Sequence, residues 1–218
     1  MIILYFTDFE SVGTEQIETM LSWMPQQQVE LVRSMKTLSR QREQAVSYAM
    51  LAYALQHNME QVTGDEIVVM PFEATQLLEA IPDPPTWAVA EHGKPYLTNR
   101  SGVFFNISHC RESIVTAVSS REVGIDVEGR RRFSDTLLQR SFNDEEQALV
   151  RNAEDQELEF ARIWTRKEAW FKYTGTGILI DHLKSTEKEA QAANCQIITT
   201  WVNDRFWLSV AKSSVTSE

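Results

Sequence analysis

Gly124-Ile125-Asp126-Val127-Glu128-Gly129 alternates apolar and acidic side chains between two glycines. Successive side chains of a strand point to opposite faces, so the pattern sets Asp126 and Glu128 on one face and turns Ile125 and Val127 toward a core. Two carboxylates that close either face water, the commoner arrangement, or share a hard cation such as magnesium, which takes oxygen ligands with water and substrate phosphate completing its shell. Upstream, Val103–Ile107 and Ser113–Ser119 are two more β-rich runs set off by polar turns, and the three together predict a sheet core. Downstream, Asn143 followed by Glu146 reads as a capping-box helix start. A longer helix is expected from about Asp155 to Tyr173, stopping near Gly175 and Gly177. Strands at Gln196–Val202 and Phe206–Ala211 then precede a frayed SSVTSE end.

Toward the N-terminus, residues 1–9 read as an apolar strand and Thr14–His57 as helical, with Pro25 marking a break between two helices. In the second, Ala45, Tyr48, Ala49, Ala52 and Leu55 recur at helical spacing, and Arg40, Arg42 and Glu43 stand near its start. A strand is expected at Glu66–Met70 and a loop at Ile81–Thr86, whose prolines remove donors and fix the backbone. This order predicts an α+β fold of two similar-sized halves, residues 1–115 and 116–218, with the acidic strand in the second half. No internal sequence repeat is evident.

Composition narrows the function classes. A chain of 218 residues that is 43% hydrophobic buries a real core, and 24% charged residues with only 8 Gly and 6 Pro exclude collagen-like and low-complexity chains. No apolar run is long enough to span a bilayer, and MIILYFTDFE meets Asp8 and Glu10 too early for a signal peptide, which places the protein in the cytoplasm. Cys110 and Cys195 have no C-x-x-C spacing and are expected as reduced thiols. A net charge of −10 argues against nucleic acid as a partner, so an anionic ligand needs focused cations or a divalent metal.

On the long helix, Trp164, Glu168 and Lys172 fall at successive four-residue steps and share one face. Taken alone, they read as a surface ion pair beside a core tryptophan, an arrangement common on helices. Phe105-Asn106-Ile107-Ser108-His109 ends a strand in groups able to bond phosphate or sugar, although a strand-end histidine is more often structural. Gly93-Lys94-Pro95 is a turn presenting one cation.

Taken in order, G-K-P, F-N-I-S-H, G-I-D-V-E and W-x-x-K-E-A-x-x-K-x-x-G resemble the 4'-phosphopantetheinyl transferase family, in its longer, monomeric type. The resemblance implies two α/β halves related by pseudo-twofold symmetry, with the active site at their junction. It also implies magnesium-dependent transfer of the phosphopantetheine arm of coenzyme A to a serine of an apo acyl or peptidyl carrier protein, releasing adenosine 3',5'-bisphosphate. Asp126, Glu128 and Glu168 match the family's metal ligands, with Glu168 and Lys172 catalytic: Glu168 takes the serine proton and Lys172 steadies the leaving phosphate. Lys94, Ser108 and His109 match nucleotide-holding positions, Lys167 a ligand contact, Trp164 a packing position and Glu146 a further acid. Where family members often supply basic residues in the first half, Pro25-Gln-Gln-Gln28 and Ser47 offer none, and Arg40 and Arg42 are either the nearest replacements or ordinary charges at a helix start. Trp170 and Phe171 either offer carrier-docking area or belong to the core, and Arg130, Arg131 and Arg132 either add a positive rim or form a solvated turn. Two other functions suit the same residues: a metal-dependent phosphohydrolase acting on a nucleotide or phosphate ester, and a carrier-binding module without turnover.

Overall fold

The computed structural model describes residues 1–57, 66–111 and 113–214. They form two units, Met1–Ala88 with Pro95–Arg121, and Val89–Lys94 with Glu122–Glu218.

In the first unit, β1 (Ile2–Thr7) lies parallel to β2 (Val68–Pro71) and antiparallel to β6 (Ser113–Ser119), whose other edge pairs with β5 (Phe104–His109). Pro71 ends the edge strand β2, where its missing N–H breaks no ladder. Every residue of β6 is buried. A division at residues 115/116 would cut this central strand, and the first unit runs to Arg121 instead.

The helical stretch holds three helices rather than the expected two: α1 (Thr14–Leu21), α2 (Gln26–Ser34) and α3 (Leu38–His57). Pro25 precedes α2 as expected, but a second break falls at Met35–Thr37, which contains neither Gly nor Pro to signal it. Met35 is extended, and the Thr37 hydroxyl accepts the Arg40 N–H at 3.3 Å, tying down a free amide at the start of α3. Helix α3 buries the predicted Ala45, Tyr48, Ala49, Ala52 and Leu55, and also Val46, Met50 and Leu51, because α1, α2 and β6 all pack on it. The Tyr48 hydroxyl donates to the Pro85 carbonyl at 2.6 Å, which anchors the proline-rich loop. After that loop, β3 (Trp87–Val89) and β4 (Pro95–Leu97) pair, with Gly93 turning at φ 90°.

The second unit carries an antiparallel sheet in the order β7 (Val123–Glu128), β9 (Phe206–Ser213), β8 (Cys195–Val202). Between β7 and β8 come α4 (Asp135–Ser141), α5 (Asp144–Asn152), α6 (Gln156–Thr174), a 3₁₀ segment over Ile180–Ser185 and α7 (Thr186–Ala192). The capping box is present: Asn143 Oδ1 accepts the Glu146 N–H at 2.9 Å and Glu146 accepts the Asn143 N–H at 2.8 Å. Asp155 caps α6 through the Leu158 N–H, and Gly175 ends it in the left-handed region at φ 71°. The short α4 and α7 were not legible as periodic patterns. Of the SSVTSE end, read as frayed, residues 215–218 lie outside the described residues. The fold is α+β, and among the described residues no helix is long and apolar enough to cross a membrane.

Helix α6 lies directly on β7 and β9. The close approach depends on Gly124, where a Cβ would meet the Ala169 carbonyl oxygen at 2.1 Å and the Tyr173 nitrogen at 2.2 Å. Ser209, opposite Asp126 in the β9 register, bonds Thr165 of the same helix at 2.8 Å.

Candidate active site

Because Gly124 and Asp126 share a face of β7, the helix seated on Gly124 also covers Asp126, which is only 3% exposed. The carboxylates of this strand therefore do not simply face water. Lys172 of α6 donates to Asp126 Oδ1 at 2.7 Å. One turn earlier on the helix, Glu168 accepts the Trp164 indole N–H at 2.5 Å. Glu128, half-buried at the end of β7, forms an ion pair with Arg131. The Arg131 guanidinium also lies over the Trp164 ring, 4.8 Å from its centroid. Three predicted acids and the predicted lysine thus come together from one strand and one helix.

Their charges interact. Burial pushes the Glu168 carboxyl up to about 7, and the negative charge of Asp126 adds to the rise, while Lys172, the Trp164 bond and Arg131 oppose it. Glu128 is also raised, first by burial, with Arg131 pulling the other way and Asp126 adding to the rise. A carboxyl that titrates near neutrality suits proton transfer. An all-oxygen, acid-rich donor set suits a hard divalent cation such as magnesium. Among the described residues no three His, Cys, Asp or Glu side chains close on one point as a metal cage. Each acid is turned instead to an internal partner: Lys172, Arg131 or Trp164.

Other sequence expectations fare differently. Lys167, expected to touch ligand, is 1% exposed, and its ammonium is fully used by the two Glu146 oxygens at 2.7 and 2.8 Å and the Leu183 carbonyl at 2.6 Å. It is a core cation, and Glu146 is its counter-charge as well as a helix cap. Trp170 and Phe171, open between docking area and core, are 5% and 3% exposed and pack with Leu183, Ala190 and Cys195, which makes them core. They sit on the side of α6 that is turned into the core. The arginine run is partly spoken for, with Arg130 paired to Asp155 and Arg131 to Glu128. Lys94 pairs with Glu122 and donates to the Tyr173 carbonyl at 2.7 Å, closing the C-terminal end of α6.

The first unit holds Arg40, Arg42, Ser108 and His109. Arg40 grips both oxygens of Glu43 at 2.8 and 2.9 Å, and His109 Nε2 meets the same carboxylate at 3.1 Å. Arg42 donates to the Val12 carbonyl at 2.7 Å and pairs with Glu10. Ser108 is buried at the end of β5. Sequence reasoning missed the Trp164 indole as a donor to Glu168 and the engagement of Arg131 with the acids. The four-residue step from Trp164 to Glu168 was the available signal for the first. Nothing local in the arginine run singles out Arg131.

Residues 122–212 match the model of the 4'-phosphopantetheinyl transferase superfamily. The chain is 36% identical over 118 residues to the 4'-phosphopantetheinyl transferase HetI of Nostoc sp. (strain PCC 7120), covering 50% of each chain. It is 30% identical over 94 residues to the 4'-phosphopantetheinyl transferase Sfp of Bacillus subtilis (strain 168), covering 42% of each. With the 4'-phosphopantetheinyl transferase AcpT of Salmonella typhimurium, identity is 35% over 106 residues, 45% of this chain and 54% of that one. The chain spans about half the length of the curated relatives it matches.

Proposed function

This chain belongs, through residues 122–212, to the 4'-phosphopantetheinyl transferase superfamily, and from that premise we propose that it transfers the 4'-phosphopantetheine arm of coenzyme A to a serine of an apo carrier protein. The observation that carries the reading is the convergence of Asp126, Glu168 and Lys172 where α6 crosses β7, inside the matched segment. We take the chain to act as a cytoplasmic monomer. The idea of pseudo-twofold halves draws support from the long helix laid on a sheet in each unit, α3 on β6 and α6 on β7.

Asp126, Glu128 and Glu168 would hold magnesium, which when bound supplies charge neutralisation for the pyrophosphate of coenzyme A. In the reaction the carrier serine oxygen forms a bond to the phosphorus bearing the pantetheine arm, and the bond from that phosphorus to the bridging oxygen breaks. The leaving group is adenosine 3',5'-bisphosphate. Glu168, with its carboxyl near 7, is the group suited to take the serine proton. Lys172 is 29% exposed along its side chain and reaches Asp126, so its ammonium lies where negative charge on the leaving phosphate would be met.

Lys94, Ser108, His109, Arg40 and Arg42 are proposed to position the nucleotide. The strongest local support is Glu43, an anion already held by Arg40 and His109. A carboxylate gripped by a guanidinium and an imidazole marks a place that also suits a phosphate.

The test is mass spectrometry of apo acyl and peptidyl carrier proteins incubated with the chain, coenzyme A and magnesium. A carrier heavier by the phosphopantetheine arm, with adenosine 3',5'-bisphosphate released, is the expected result. Free phosphopantetheine or phosphate formed without a carrier would replace this reading with the phosphohydrolase.

A further inference from the structure

Arg131 is the member of the site that nothing in the sequence motifs assigns. It makes an ion pair with Glu128, the last residue of β7. Its guanidinium lies over the Trp164 ring, 4.8 Å from the centroid, and that indole donates to Glu168 Oε1 at 2.5 Å. Trp164 is 6% exposed and also stacks on Phe160 with an interplanar angle of 13°. The ring plane is therefore set by packing, and with it the direction of the N–H aimed at Glu168. A continuous chain of contacts runs Glu128, Arg131, Trp164, Glu168, joining an acid of the strand to an acid of the helix.

We propose that Arg131 is a positioning residue that holds one oxygen of Glu128 directly, and one of Glu168 through Trp164, so that the second oxygen of each carboxylate can turn to a divalent cation. The proposal rests on the reading of Asp126, Glu128 and Glu168 as metal ligands. Arginine suits the task because a planar guanidinium stacks on an indole while an N–H at its edge bonds a carboxylate. Lysine offers the charge without the plane.

Charge alone and positioning predict opposite signs. Removing a cation beside three acids should, by Coulomb's law, tighten the binding of a divalent metal. If Arg131 positions the ligands, its removal weakens binding, as loss of a partner behind a metal ligand commonly does.

The experiment titrates Mn2+ into the metal-stripped full chain without coenzyme A and reads free Mn2+ by electron paramagnetic resonance, with a thermal melt on each variant. R131A is expected to raise the Mn2+ Kd by about tenfold, R131K by less, and W164F in the same direction. Because Arg131 acts partly through Trp164, the R131A/W164F double variant should bind more tightly than the product of the single effects predicts. Unchanged or tighter Mn2+ binding by folded R131A overturns the role of Arg131. Should R131A melt early, R131K and W164F decide in its place, and unaltered affinity in both overturns it equally. An unaltered chain that binds no Mn2+ removes the metal reading itself, and this proposal with it.

Discussion

Gly124 and Ala169 touch backbone to backbone: a methyl group on Gly124 would sit 2.1 Å from the Ala169 carbonyl oxygen. The next residue of α6 toward its N-terminus is Glu168, and Lys172 lies one turn on, so this contact sets how near both come to Asp126. Gly124→Ala must push the helix off the strand. Overpacking of this kind costs about 1–3 kcal/mol of stability. Displacing reacting groups by about 1 Å costs on the order of 100-fold in rate. Thermal melts together with carrier modification measured well below the melting point should show both losses, and a folded variant of normal rate would mean that α6 tolerates the shift.

Lys167 and Lys172 belong to one helix and are expected to fail differently. Lys167→Met strips the buried Glu146 of its counter-charge, a change that typically costs about 3–5 kcal/mol. Urea unfolding should show a lower midpoint. At a temperature where the variant stays folded, its kcat should remain within roughly threefold of normal, since Lys167 reaches no solvent from which a substrate could approach. Lys172→Met should instead lose about 100-fold or more in kcat under the same conditions.

Glu43 competes for the cations that we assign to the nucleotide. If Arg40 and His109 meet a phosphate of coenzyme A, Glu43→Gln frees them and should lower KM for coenzyme A with little effect on kcat. The gain is limited to roughly fivefold, because an exposed ion pair contributes at most about 1 kcal/mol. A raised KM would show that Glu43 orients those side chains rather than blocking them.

Cys195 and Cys110 should differ in alkylation. Cys195 is 7% exposed, and burial pushes its thiol up to about 11, so at pH 8 roughly one molecule in a thousand carries the reactive thiolate. Cys110 is half-buried and should be labelled first by iodoacetamide, as peptide mapping would reveal. The same shift fixes a sign for stability. An unfolded thiol gives up its proton near 9 and the folded one near 11, so this group favours unfolding increasingly as pH rises through that window. Cys195→Ser should flatten that part of the curve.

Much of this was legible in the sequence because the signals were local. The strand 123–128, the Asn143 and Glu146 cap, and the stop of α6 at Gly175 each depend on neighbours within a few residues. The bond from Trp164 to Glu168 is equally local, across one helical turn, but its four-residue step reads only as a shared face. What escaped depends on partners distant in the chain. Lys167 matches a ligand contact until Glu146 and the Leu183 carbonyl close around it, 21 and 16 residues away. Trp170 and Phe171 stay open between docking area and core until the segment that follows α6 folds over them. The break at Met35–Thr37 carries no glycine or proline, and α7 is too short for a periodic pattern to emerge.

The burial of Lys167 also bears on how far a signature can be trusted. Within Trp164-Thr-Arg-Lys-Glu-Ala-Trp-Phe-Lys172, two lysines of the same formula answer to different demands, one to the closing of the core and the other to the acids of β7. A descendant could keep Lys167 with Glu146, lose Lys172, and still score as kin without the reaction we propose. Conversely, a chain that met the core's demand with two apolar residues in place of that pair would look degenerate at a motif position and yet keep its chemistry intact. Inheritance of the shape and inheritance of the proposed reaction are written in interleaved letters along this helix, and on our reading only the letters that face Asp126 speak for the latter.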